Sequence, residues 1–209
     1  MKSITLLYLF SFSFSLAFCQ STPKIDDLTI IPEVREKDKK LANVYQLLDG
    51  HWKGQFKIYQ DKKRVKKNAL DLKNITTDNL TKKGIEQVGY IEVEQIYTSE
   101  TPYFQRVVIT DYYPDQDKSV VAKGVNKIMD GKLLCVVIKP DDTVIHDGYL
   151  ENENTIIWQR QEKSPQKVEY FREPVDKEFY EIVGWGYYDG DNLDLSPTFW
   201  FHGKYERQN

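Results

Sequence analysis

From Gly50 to Tyr205, apolar and polar side chains alternate in short runs, each closed by turn chemistry. The first run, His51-Trp52-Lys53-Gly54-Gln55-Phe56-Lys57-Ile58-Tyr59, sets the pattern. Trp52, Gly54, Phe56 and Ile58 fall on one side, and Lys53, Gln55 and Lys57 on the other. A period of two is that of a strand with one wet face. Further runs follow at 90–98, 103–112, 119–128, 133–138, 143–150, 155–160, 167–172, 179–187 and 198–206. Turn-forming pairs such as Pro114-Asp115, Asp130-Gly131, Ser164-Pro165 and Asp189-Gly190 separate them. Asp-Gly suits a type I′ hairpin, which needs positive φ at both central residues. Connections this short join antiparallel neighbours, because a parallel crossover takes about a dozen residues or more. The pattern therefore predicts an all-β, up-and-down antiparallel meander of about ten strands. A sheet of that size curls, and closing it removes edges that would seed aggregation. The expected product is a barrel in which the last strand, near Trp200, pairs with the first, near Trp52. Its interior would admit side chains or one small ligand.

Upstream the period changes. Within 33–48, Leu41, Val44, Tyr45 and Leu48 recur at helical spacing opposite Lys37, Asp38, Lys39 and Lys40. This predicts a short N-terminal amphipathic helix ended by Asp49-Gly50, its apolar stripe lying against the barrel. Residues 61–83 are crowded with Lys, Asn and Asp and read as a lysine-rich loop, with Lys62, Lys63, Arg64, Lys66 and Lys67 solvated. Residues 20–32 read as a flexible lead-in, and 33–209 as a single barrel domain. At the start, Lys2 precedes an uncharged apolar run that ends at Phe18. About 15 residues are too few to span a bilayer, so 1–19 is read as a signal peptide cleaved after Cys19. A secreted or periplasmic protein is expected. The rival expectation is a lipoprotein acylated at Cys19, against which the bulk of Phe18 counts.

Composition narrows the classes. A formal net charge of −3 lacks the basic excess of a nucleic-acid binder. Beyond the leader no second long apolar stretch offers a membrane span, and Cys135 is the one cysteine left, inside the apolar run Leu133–Ile138. A lone cysteine on such a strand is read as a small core residue. His51, His146 and His202 lack zinc-ligand spacing, and neither a Gly-x-Ser-x-Gly elbow nor a Gly-rich phosphate loop occurs. No catalytic residue, metal or cofactor is assigned. A single axial haem ligand needs no partner motif, which leaves His146 and His202 open to that role.

Two stretches carry resemblances. Leu47-Leu48-Asp49-Gly50-His51-Trp52-Lys53-Gly54 resembles the opening of calycin barrels, the lipocalin and fatty-acid-binding architecture. The resemblance implies a short helix feeding a first strand whose tryptophan, here Trp52, packs across one barrel end. The spacing departs from the lipocalin pattern, with Gly50 two residues before Trp52 and Gly54 two after. Val93-Glu94-Gln95 followed by Pro102-Tyr103-Phe104-Gln105-Arg106-Val107 is similar to chromophore lyases of the CpcT/CpeT type, calycin barrels that handle bilins. That resemblance implies a lyase-like or isomerase-like site in which Glu94 and Arg106 converge inside one cavity.

The residues themselves suggest a ligand set. Phe104 and Arg106 share a strand face, and Trp158 with Arg160 and Tyr170 with Arg172 repeat an aromatic–arginine pair at strand spacing. With the aromatic stretch around Trp185 and the Trp52 strand, the candidate ligand-binding residues are Trp52, Phe104, Arg106, Trp158, Arg160, Tyr170, Arg172 and Trp185. A buried guanidinium needs a partner, either the carboxylate of an acidic amphiphile or one of Glu92, Glu94 and Glu169. The competing reading puts these arginines outside, in cross-strand pairs with glutamates on a wet face. The expected function is an exported lipocalin-like barrel that binds a small hydrophobic or acidic amphiphilic ligand. Its alternatives are a filled-barrel interaction module of the envelope and a bilin-lyase-like enzyme.

Overall fold

The computed structural model describes residues 28–67, 71–82 and 84–209. The expected leader, and the lead-in as far as residue 27, lie outside the described residues. The strands are β1 (Gly50–Asp61), β2 (Ile85–Thr101), β3 (Phe104–Tyr113), β4 (Lys118–Met129), β5 (Lys132–Ile138), β6 (Thr143–Asn152), β7 (Thr155–Lys163), β8 (Gln166–Pro174), β9 (Phe179–Tyr187) and β10 (Phe199–Gln208). Each pairs antiparallel with its sequence neighbours, and β10 returns to β1 to close the barrel. Trp52 stands opposite Arg207, and Tyr59 opposite Trp200. Asp130 and Gly131 turn the β4–β5 hairpin at φ 58° and 74°, the left-handed pair that the Asp-Gly dipeptide predicts. Two inward-facing glycines let strands cross closely. A Cβ on Gly54 would lie 1.8 Å from the Lys204 carbonyl oxygen, and one on Gly124 would lie 2.4 Å from that of Val136.

The expected N-terminal helix is instead two short 3₁₀ turns, Glu36–Leu41 and Gln46–Leu48. Asn43, between them, takes a positive φ of 64° and donates its N–H to the Pro102 carbonyl at 2.7 Å. That bond to the β2–β3 turn replaces a helical one, so the segment follows the barrel rim. The apolar stripe survives the change. Tyr45 and Leu48 are buried and close this end of the barrel. The Tyr45 hydroxyl donates to the Lys127 carbonyl at 3.0 Å, and Trp52 Nε1 donates to that of Leu48 at 2.6 Å. The Arg207 guanidinium lies 4.2 Å from the centre of the Trp52 ring. Fully buried Asp38 accepts the N–H groups of Gly131 and Arg35, which ties the segment to the β4–β5 turn.

The lysine-rich loop is also more built than expected. Leu72, Ile75 and Leu80 pack with Tyr170, Trp185 and Trp200 on the outside of the barrel. Each buried aliphatic side chain contributes roughly 1.5–3 kcal/mol, enough to hold an otherwise polar loop against the wall. Arg64 anchors its start, donating to the carbonyls of Ser196 at 2.7 Å and Asn192 at 2.8 Å. Among the described residues no helix is long and apolar enough to cross a membrane.

Candidate functional site

The barrel encloses a cavity of about 450 Å³. Alternation places Phe56, Ile91, Val93, Ile109, Phe171 and Ile182 on its walls. One end is sealed by the Tyr45–Leu48 segment. There Trp158, Tyr97, Tyr205, Cys135 and Glu173 form the floor. The ring of Trp158 stacks on Tyr45, and that of Tyr205 on Tyr180. The other end carries the β5–β6 and β7–β8 turns and is rimmed by charged groups. On β8 the inward positions run from Glu169 near this mouth, through Phe171, to Glu173 at the floor.

At the mouth, charge is matched by charge. Arg160 has only 5% of its side chain exposed, and its Nε donates to Glu162 at 2.6 Å. Its terminal nitrogens lie 3.6 Å from Asp142 and 3.7 Å from Glu169. Lys167 pairs with Asp142 at 3.1 Å, and Lys139 with Asp111 at 3.4 Å. Glu169 also accepts the Tyr188 hydroxyl at 2.8 Å and lies 3.1 Å from His146 Nε2. Burial alone would raise the Glu169 carboxyl, but the His146 and Tyr188 hydrogen bonds and the Arg160 charge outweigh it and hold the group below its ordinary value. Asp142 is likewise held low, its desolvation outweighed by Lys167 and Arg160.

The floor behaves in the opposite way. Burial pushes the Glu173 carboxyl up to about 7, only partly offset by the hydrogen bond from Trp158 Nε1 at 2.6 Å. Burial and the nearby Glu173 push the Cys135 thiol up to about 12. A thiol that stays protonated is a poor nucleophile, so Cys135 serves as an apolar lining group.

The structure brings two of the candidate residues to the cavity, Trp158 and Arg160. Trp52 points inward but is wholly buried beneath the sealed end. The other five lie on the outer wall. Phe104 packs with Val125, Leu134 and Val136, and Tyr170 and Trp185 stack beneath the loop. Arg106 pairs with Glu100 at 2.6 Å and Arg172 with Glu151 at 2.6 Å, the wet-face arrangement. Glu94, 39% exposed, faces His51 and Lys53 outside the barrel, and the side chain of Arg106 is 50% exposed. The lyase-like convergence of Glu94 and Arg106 is thus not formed. His146 lines the cavity, whereas His202 stands on the outside, 3.7 Å from Glu181. Among the described residues no cluster of ligating side chains could hold a metal ion.

The reason for the split is register. Lys163 pairs with Gln166 across a two-residue turn, so Trp158 faces Phe171 and Arg160 faces Glu169. Paired residues share a face. Once Trp158 and Arg160 point in, Glu169, Phe171 and Glu173 must point in, and Tyr170 and Arg172 must point out. Counting outward from the Ser164-Pro165 turn pairs Arg160 with Glu169 and Ile156 with Glu173, which ties both glutamates to the face that carries Trp158 and Arg160. Asp111, Lys139 and Tyr188 leave no comparable trace in the sequence.

No protein-family model and no curated protein matches the chain. Among solved structures, Rv2717c from M. tuberculosis shares 14% identity over 81% of this chain and 99% of its own, with a TM-score of 0.50. A redesigned β-barrel, b11L5F_LGL, shares 11% identity over 81% of this chain and 98% of its own, with a TM-score of 0.38. The barrel EF1p2_mFAP2b, solved bound to DFHBI, shares 12% over 80% of this chain and 99% of its own, with a TM-score of 0.36. At these identities the likeness concerns the fold alone. The closed antiparallel barrel of this chain agrees with the calycin-like expectation in its coarse form.

Proposed function

We propose that this chain is an exported barrel that takes up one small apolar or amphipathic ligand. The observation that carries the reading is the hollow itself, about 450 Å³, with apolar walls, an aromatic floor and a polar mouth. That volume lies in the range of small-molecule sites, roughly 300–1,000 Å³. A filled barrel acting through its surface would have used those inward positions for close-packed side chains.

The acidic character expected of the ligand is not needed. Of the three arginines considered, only Arg160 reaches the interior, and Glu162, Glu169 and Asp142 already surround it. The test is displacement of a fluorescent fatty-acid probe, with native mass spectrometry of the folded protein. Stoichiometric uptake of one apolar probe is expected. A protein that takes up none of a panel of fatty acids, fatty alcohols and aromatic probes would overturn the reading. Export is checked separately, by finding whether the mature N-terminus follows Cys19.

A further inference from the structure

The floor of the cavity holds an acid without a base. Glu173 is 5% exposed and faces inward from β8. Its Oε2 accepts the Trp158 N–H, and no hydrogen bond reaches Oε1 among the described residues. Every other carboxyl lining the cavity has a basic neighbour: Asp111 has Lys139, Asp142 has Lys167, and Glu169 has His146 and Arg160. Around Glu173 stand Tyr45, Tyr97 on β2, Cys135 on β5, Trp158 on β7, Tyr180 on β9 and Tyr205 on β10. None of them is a cation. The aromatic faces among them are the surfaces on which an organic cation rests.

Resting on the reading of the hollow as a ligand site, we propose that the ligand is a primary amine carried on an aromatic or alkyl body, and that it enters nitrogen first. Its ammonium group would pair with Glu173 Oε1 against the floor rings, while its apolar body fills the walls. The chemistry follows from what the floor lacks. An isolated carboxylate in an apolar pocket is costly, and a ligand cation is the counter-ion that removes the cost. The carboxyl is about half ionised near pH 7, so taking up an ammonium draws off its proton. The tyrosines and Cys135 facing it are all pushed upward by burial, so they stay neutral through this range.

The experiment uses matched probes of one shape: naphthylmethylamine, naphthylmethanol and naphthoate. Each is titrated calorimetrically into the native protein and into Glu173→Gln, at about pH 8 and about pH 5.5. In the native protein at the higher pH the amine should bind about tenfold or more tighter than the alcohol, with naphthoate weakest. That advantage should shrink at the lower pH and vanish in Glu173→Gln. An alcohol that binds as tightly as the amine, or an amine advantage that survives Glu173→Gln, overturns the proposal while leaving the cavity a ligand site. Failure of all three probes overturns the amine proposal, and failure of the fatty-acid and fatty-alcohol panel as well removes the ligand-site reading. The pH series on the native protein decides the matter even if the variant does not fold.

Discussion

Tyr170 and Phe171 are adjacent on β8, yet they belong to two different aromatic clusters on opposite faces of one sheet. Outside, Tyr170 and Trp185 stack with centroids 5.6 Å apart, and the chain itself covers them. The Tyr170 hydroxyl donates to the Lys73 carbonyl at 3.0 Å, and Trp185 Nε1 to that of Leu72 at 2.8 Å. Inside, Phe171, Trp158 and Tyr205 surround unfilled space. The contrast teaches that a dense run of aromatics marks a surface in need of cover without saying what provides it. On the outer face the cover is the loop. On the inner face none of the described residues provides it, and that asymmetry is the physical basis for reading the hollow as a ligand site.

The comparison breaks most visibly through truncation. Trp185→Ala should destabilise the protein by about 3–5 kcal/mol, because it empties a filled site and strands the Leu72 carbonyl. Val144→Ala, which shortens a side chain already facing the hollow, should cost about 1 kcal/mol or less, since few contacts are lost. Urea unfolding with an unchanged slope measures both. Equal losses would mean that the interior is as tightly packed as the outer wall.

The next effect separates mouth from floor along β8. For Glu173 the folded value rises from 4.5 to about 7, so its contribution to stability is full below the unfolded value and is lost as pH climbs through the folded one. The rise corresponds to about 3 kcal/mol, an order-of-magnitude figure for a buried acid. Glu173→Gln keeps an acceptor for the Trp158 N–H and should therefore be more stable than the native protein at about pH 8, by up to about that amount. Near pH 4 the two should be alike. Glu169 runs the other way. Its folded value is held low, so its stabilisation is present above the unfolded value and is lost on acidification. Thermal unfolding across pH checks the sign; a native protein that gains stability between about pH 5 and pH 8 while Glu173→Gln does not would contradict it.

Fold and site differed in how much of each the sequence carried. Period-two alternation and short turns determine strand number and the pairing of sequence neighbours, since both are local properties. Closure of β10 onto β1 follows instead from the size of a sheet that must curl. The positive φ of Asn43 is not local. It depends on the Pro102 carbonyl waiting on another turn, which is why 33–48 reads as one helix and folds as two short turns. Alternation also assigns faces only as a pair. It groups Tyr170 with Arg172 and Glu169 with Glu173, but which pair points inward depends on register passed from strand to strand. The loop was hidden because Leu72, Ile75 and Leu80 sit singly among polar residues, showing neither period.

The smallest expected effect concerns the arginines that the same ambiguity misplaced. Arg172 donates Nε and Nη2 to one oxygen of Glu151, at 2.9 and 2.6 Å, with the side chains of both partners about a third exposed. A pair this wet gains little over two hydrated ions, so Arg172→Ala should cost under about 1 kcal/mol, and less again in about 1 M salt, where screening removes the attraction. Arg172 also shares the outer face with Tyr170, two residues away, whose hydroxyl feels its charge. A loss of about 3 kcal/mol or more that is indifferent to salt would therefore show the arginine acting as apolar cover for the outer aromatics. In that case the outer cluster is sealed by a strand residue as well as by the loop. The contrast with Arg160 would then lie in what each side chain covers, since both would be structural in weight.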